Sequence, residues 1–222
     1  MMRKGILFLV ISTVITFPAM AQKKTYTYLA LGDSYTIGES VPVYENFPYQ
    51  AVQMLRQKGH SFHAPEIVAK TGWTTDELSA GIDKNKFLPS YNIVSLLIGV
   101  NNQYRGRSAE EYAIQFEALL KKAIVFAGGK DAHVFVVSIP DWGATPFAQD
   151  RDRAKITDEI NAFNAINLKI SDQYKVHYIN ITPGSREALA DPTLVARDKL
   201  HPSGNEYAKW ATLLVAEILK SL

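Results

Sequence analysis

Short β-branched or aromatic runs, alternating with longer stretches of helical periodicity, constrain this chain more than any other feature in it. Thr25 to Leu31, Ile67 to Lys70, Asn92 to Ile98, His133 to Ile139 and Val176 to Ile181 each have the length and content of a buried strand. Between and after them, Tyr49 to Gln57, Ala109 to Phe126, Ile156 to Tyr174 and Ser203 to Leu222 read as helices. In the second of these, Tyr112, Phe116, Leu119, Leu120 and Ala123 fall along one side. Strands that alternate with helices pair in parallel. Parallel crossovers are right-handed and both faces of such a sheet need cover, so the expected fold is α/β, a three-layer α/β/α sandwich. No repeat, low-complexity tract or linker interrupts residues 22–222, which read as one domain large enough to bury its own core.

The first 21 residues are of a different kind. Met1-Met2-Arg3-Lys4 is a short basic start, Gly5 to Phe17 is an almost uncharged apolar run, and Ala19-Met20-Ala21 offers the small-x-small pattern of a cleavage site. Residues 1–21 are therefore expected to be a signal peptide removed after Ala21. The apolar run falls short of the roughly 20 residues of a membrane span, so no stable span is expected after cleavage. Arg3 and Lys4 account for the formal charge of +2, which leaves the remainder neutral and argues against a nucleic-acid partner. The absence of cysteine removes disulfides, thiol nucleophiles and thiolate metal sites together. In an exported protein that composition fits a bacterial envelope location, periplasmic or secreted. His60 and His63 have no companions at ligand spacing, so no metal is expected. Gly32 to Gly38 matches neither a dinucleotide nor a Walker pattern, and no cofactor is expected.

In open parallel sheets ligands bind beyond the carboxyl ends of the strands. The residues there are Gly32-Asp33-Ser34, Thr71-Gly72-Trp73, Gly99-Val100-Asn101-Asn102 and Pro140-Asp141-Trp142. Ser34 is placed to be a nucleophile, but a serine hydroxyl needs a neighbouring base to attack a carbonyl; taken alone it fits a helix cap equally well. Of the five histidines, His201 lies in a loop before the last helix with Asp198 three residues upstream, a spacing that lets one turn hold the carboxylate against the imidazole. Asn101 and the Gly72 N–H can supply hydrogen bonds to an oxyanion, although both residues are also common turn formers. Trp73 and Trp142 are candidates to line an apolar or sugar-stacking cleft, and Arg105 and Arg107 to meet an anionic group.

Gly32-Asp33-Ser34-x-x-x-Gly38, the isolated Gly72, Gly99-x-Asn101 and Asp198-x-x-His201, in this order, resemble the SGNH, or GDSL, hydrolase superfamily. The resemblance implies a flavodoxin-like sandwich of five parallel strands. It also implies that Ser34 is the nucleophile, that Asp198 and His201 complete a triad, and that the Ser34 N–H, the Gly72 N–H and the Asn101 side chain form an oxyanion hole. The chain departs from the common family pattern at Asn102, where aspartate is usual. No Gly-x-Ser-x-Gly elbow occurs, which disfavours the α/β-hydrolase version of the chemistry. The expected substrate is a small-molecule, glycan or lipid ester. Short acyl or acetyl esters on carbohydrate lead, followed by a lysophospholipase-like acylhydrolase; a non-catalytic glycan- or lipid-binding module on the same fold is the alternative from another class.

Overall fold

The computed structural model describes Met1 and residues 24–222; apart from Met1, the 1–21 leader lies outside the described residues. In chain order the elements are β1 (Thr25–Tyr26), β2 (Tyr28–Gly32), α1 (Ser34–Ile37), α2 (Phe47–Gln57), β3 (Ser61–Phe62), β4 (Glu66–Ala69), α3 (Thr75–Ile82) and β5 (Ile93–Leu97). They continue with α4 (Val100–Tyr104), α5 (Ala109–Phe126), β6 (Val134–Val137), α6 (Arg153–Gln173), β7 (His177–Ile179), α7 (Thr182–Ser185) and α8 (Gly204–Ser221).

The main sheet has five parallel strands in the order β4-β2-β5-β6-β7. Counted among themselves these strands run 2-1-3-4-5, the flavodoxin-like order, with the topological switch between β2 and β5. β2 and β5 are buried along their whole length, as a covered parallel sheet requires. Helices α2 and α8 pack on each other, while α5 packs on α3, α6 and β5, so the sheet is flanked by helices. The α5 side facing inward consists of Tyr112, Phe116, Leu119, Leu120 and Ala123, the set its periodicity predicts. Each fully buried Leu or Phe there stabilises the fold by about 1.5–3 kcal/mol relative to exposure.

Helix ends follow local chemistry. The Asn46, Ser108 and Asp152 side chains accept N–H bonds at the starts of α2, α5 and α6, and α3 opens on a Thr74/Glu77 capping box.

One expected strand is corrected. Thr25 to Leu31 is two strands, broken at Thr27, whose N–H donates to the Asn92 side chain at 3.0 Å. β1 then leaves the main sheet and pairs with β3, a two-residue strand too short to read from the sequence.

Candidate active site

Ser34 begins α1 directly after β2, at the switch point. Asp33 caps this helix by accepting the Tyr35 N–H at 3.0 Å, and Gly38 ends it at φ +76, the left-handed conformation glycine takes most easily. Gly32 is required by closeness: a Cβ there would lie 2.1 Å from Thr36 Oγ1 and 2.5 Å from the Leu97 carbonyl. The absence of a side chain lets the helix turn down onto the sheet end.

From the other end of the chain, the Asp198 to His201 turn reaches the same point. Asp198 Oδ1 accepts the N–H groups of Leu200 and His201, each at 3.0 Å. Its Oδ2 lies 2.6 Å from His201 Nδ1, and His201 Nε2 lies 2.9 Å from Ser34 Oγ. The turn is closed by a hydrogen bond from Ala196 N–H to the His201 carbonyl, and Lys199 sits at φ 66 within it. His201 and Ser34 are buried, and the Tyr35 ring packs 5.4 Å from the imidazole.

The two aspartates of the site have opposite electrostatics. Partial burial works against the charge on Asp198, yet donors from Leu200, Ser40 and His201 together hold its carboxyl down to about 2. Full burial pushes Asp33 up to about 7, against the pull of the Tyr35 N–H, and its Oδ2 has no partner among the described residues. Tyr35 is raised far above the usual phenol range by burial and then by the charges of Asp33, Asp198 and Asp141; it packs on the imidazole as a neutral ring.

Gly72 and Asn101 line the same cavity as Ser34 and His201. Gly72 stands at φ +82, and its carbonyl accepts from Arg105 Nη2 at 2.6 Å; nothing among the described residues accepts its N–H. Asn101 lies in α4, entered through Gly99 at φ 128, and its Nδ2 donates to the Trp73 carbonyl at 3.0 Å. An amide NH₂ carries two hydrogens, so one remains for a bound oxyanion. Next to it, Asn102 is fully buried: its Oδ1 accepts the Thr75 N–H at 3.1 Å and its Nδ2 donates to Thr75 Oγ1 at 2.7 Å. Asn102 thus fastens the Asn101 loop to the start of α3.

The cavity has a volume of about 240 Å³, and Val100, Tyr104, Trp142, Phe147 and Leu200 share its lining with the serine. Of the residues expected to meet substrate, Trp142 lines it, held by its indole N–H to Gln103 Oε1 at 2.8 Å and flanked by the Tyr104 and Phe147 rings. Trp73 is not in this lining; its ring lies against Gly81, where a Cβ would approach it to 2.2 Å. Arg105 is likewise outside the lining, held by Gly72 and by Glu77 at 3.2 Å, and Arg107 pairs with Asp76 and Glu111. Strand-end position alone does not distinguish a side chain facing the cleft from one bracing its wall. Tyr104 and Phe147 were absent from the sequence expectations; Tyr104 had a readable signal, being three residues after Asn101 and so on its side of the helix. Among the described residues no group of three or more His, Asp or Glu is placed to hold a metal, and no helix is long and apolar enough to cross a membrane.

A serine hydroxyl, an imidazole and a carboxylate in line at the switch point of an α/β/α sandwich, beside a spare amide hydrogen and an unengaged N–H, define the class of ester hydrolases built on this fold. The pattern of the GDSL-like lipase/acylhydrolase family matches residues 30–209, most of the chain, and the protein belongs to that family. Similar solved structures include the lipase/acylhydrolase from Enterococcus faecalis, at TM-score 0.69 and 16% identity, over 87% of this chain and 95% of the other. The acetylxylan esterase Axe2 from Geobacillus stearothermophilus has TM-score 0.65 and 17% identity, over 87% and 94%. The psychrotrophic esterase EstA from Pseudoalteromonas sp., solved in an inhibited form with monoethylphosphonate, has TM-score 0.63 and 17% identity, over 88% and 97%. No curated protein sequence matches the chain.

Proposed function

We propose that the protein cleaves short acyl or acetyl esters, with carbohydrate as the leading alcohol, by two-step acyl transfer through Ser34. The observation that carries this reading is the unbroken line of contacts from Asp198 to His201 to Ser34, at 2.6 and 2.9 Å. His201 takes the Ser34 proton as Ser34 Oγ attacks the ester carbonyl, and Asp198 holds the ring and stabilises the imidazolium. The negative oxygen is met by the N–H groups of Ser34 and Gly72 and by the Asn101 amide. His201 then gives the proton to the departing alcohol, and water, activated by the same histidine, releases the acyl group.

Support for a short acyl group comes from the cavity volume of about 240 Å³ and its largely aromatic and aliphatic walls. That similar structures include acetylxylan esterases supports carbohydrate as the alcohol. A lysophospholipase-like activity is the second reading, favoured by the exposed Phe147 and Tyr104 at the rim. The proposal includes export, with the leader cleaved after Ala21; N-terminal sequencing of the processed protein is expected to begin at Gln22.

Ser34→Ala is expected to abolish turnover of p-nitrophenyl acetate and labelling by a fluorophosphonate while leaving the circular dichroism spectrum unchanged. Wild-type turnover by Ser34→Ala sinks the mechanism. A chain-length series of p-nitrophenyl esters, run beside acetylated oligosaccharides and lysophospholipid, decides between the two substrate readings.

A further inference from the structure

Asp198 accepts four hydrogen bonds, about as many as a carboxylate has lone-pair sites for. Three come from its own turn: the Leu200 and His201 N–H groups on Oδ1, and His201 Nδ1 on Oδ2. The fourth is different in origin. Ser40 Oγ donates to Asp198 Oδ2 at 2.7 Å from 158 residues away in sequence, on the segment that leaves the nucleophile's own helix α1.

The backbone of that segment is arranged around this contact. Ser40 stands at φ 66, in the left-handed region that a residue with a Cβ enters at an energetic penalty. Its neighbour Glu39 donates its N–H to the Ser34 carbonyl at 3.1 Å, and the Glu39 carboxylate accepts the hydroxyl of Thr71, the residue before Gly72. One short segment is therefore tied to the nucleophile, to the loop bearing the expected oxyanion donor and to the carboxylate. A strained residue is retained where its surroundings over-determine it, and such residues gather at functional sites. Glycine would occupy φ 66 without strain, but it would bring no hydroxyl.

We propose that Ser40 is a positioning residue of the reaction. Its hydroxyl closes a ring of contacts, Ser34 to His201 to Asp198 to Ser40, that fixes the carboxylate against the nucleophile's helix and moderates the charge it presents to the imidazole. This rests on the serine-esterase reading above. Charged and titratable groups near the turn include Arg197 and Lys199 within it, Asp33, Tyr35 and Glu39 on the nucleophile side, Asp141, and Tyr207 on α8; none of them hydrogen-bonds Asp198 among the described residues.

The test is Ser40→Gly, which suits the left-handed backbone and removes the hydroxymethyl group, with Ser40→Ala, which keeps the Cβ and removes only the hydroxyl, as a second variant. In both, kcat for p-nitrophenyl acetate is expected to fall about 10- to 100-fold, the scale of one hydrogen bond to a charged group, with little change in KM. The acid limb of the kcat/KM profile is expected to move to higher pH, because a carboxylate with one donor fewer holds the imidazolium more strongly. Wild-type kcat and an unmoved acid limb in Ser40→Gly overturn the proposal. So does a fall in kcat with the acid limb unmoved, which marks Ser40 as a loop-shaping residue only. Ser34→Ala, assayed alongside, separates the two layers: turnover by that variant removes the esterase mechanism itself, whereas an inactive Ser34→Ala beside a wild-type Ser40→Gly removes only the role of Ser40.

Discussion

On one side of the cavity, His201 and Ser34 keep 7% and 5% of their surface, and Asp198 is held by four donors; on the other, Tyr104 and Phe147 keep 51% and 42% and are held by ring contacts. The first wall is fixed by hydrogen bonds, which are directional and leave little freedom once satisfied. The second is fixed by contacts between rings, which tolerate sliding and substitution. On the proposed mechanism the contrast indicates that side chains of the two walls can be altered separately, although their backbones are joined: Tyr104 lies on α4 with Asn101, and the Phe147 N–H donates to the Lys199 carbonyl at 2.9 Å.

The sharpest challenge is Asp198→Asn. By analogy with serine triads it is expected to lower kcat by about 10⁴-fold; a loss under about tenfold, measured with p-nitrophenyl acetate, reduces Asp198 to a turn-former. Asn101→Ala is next, with kcat expected to fall about 10²- to 10³-fold and KM to change little, as for loss of one oxyanion donor. If KM rises instead and kcat holds, Asn101 belongs to the binding wall and the two walls are not separate in function. Phe147→Ala on the aromatic wall is expected to leave acetate turnover nearly intact and to shift the preference between acetate and longer esters several-fold, within the roughly 10- to 200-fold that an apolar pocket commands.

The smallest expected effect is one of stability. Asp33 titrates near 7 in the folded chain, above the carboxylate value of about 3.9 that an unfolded chain shows. The folded state therefore holds this proton more tightly, and its contribution is complete below pH ~4 and disappears as the pH rises through 7. Asp33→Asn keeps an oxygen for the Tyr35 N–H while removing the titration. Its melting temperature is expected to exceed that of the wild type by a few degrees at about pH 8 and to lose the decline between about pH 5 and 8. An identical decline in the variant assigns the effect to other groups.

What the sequence disclosed follows the range of the interactions concerned. The five main-sheet strands and four long helices were legible because burial periodicity is local, and the α3 start had its signal in Thr74 and Glu77. Ser34, Gly72 and Asn101 were readable as strand-end residues, and Asp198 and His201 from their three-residue spacing before the last helix, with the family resemblance joining the five; all but Asp198 line one cavity while Asp198 stands directly behind His201. Orientation about a strand end was not legible. Trp73 and Trp142 occupy equivalent positions in sequence, yet one packs on Gly81 and the other lines the cavity, a choice made by tertiary contacts. Ser40 was hidden for the same reason, since its partner lies in a loop that no local pattern connects to it.

The amide at Asn102 sets the direction of a hydrogen-bond relay behind the Asn101 loop. Asn102 donates to the Thr75 hydroxyl, which passes its own hydrogen on to Gln115, and Gln115 donates in turn to Glu111 at 2.9 Å. The relay runs one way, from the sheet end out to the surface of α5, and its buried origin carries no proton to gain or lose. An aspartate in that place would titrate and, when ionised, would only accept, drawing the Thr75 hydrogen back from Gln115. With asparagine the direction of every link next to the loop is set by the side chain itself, and the order of the relay is built in from its buried end outward.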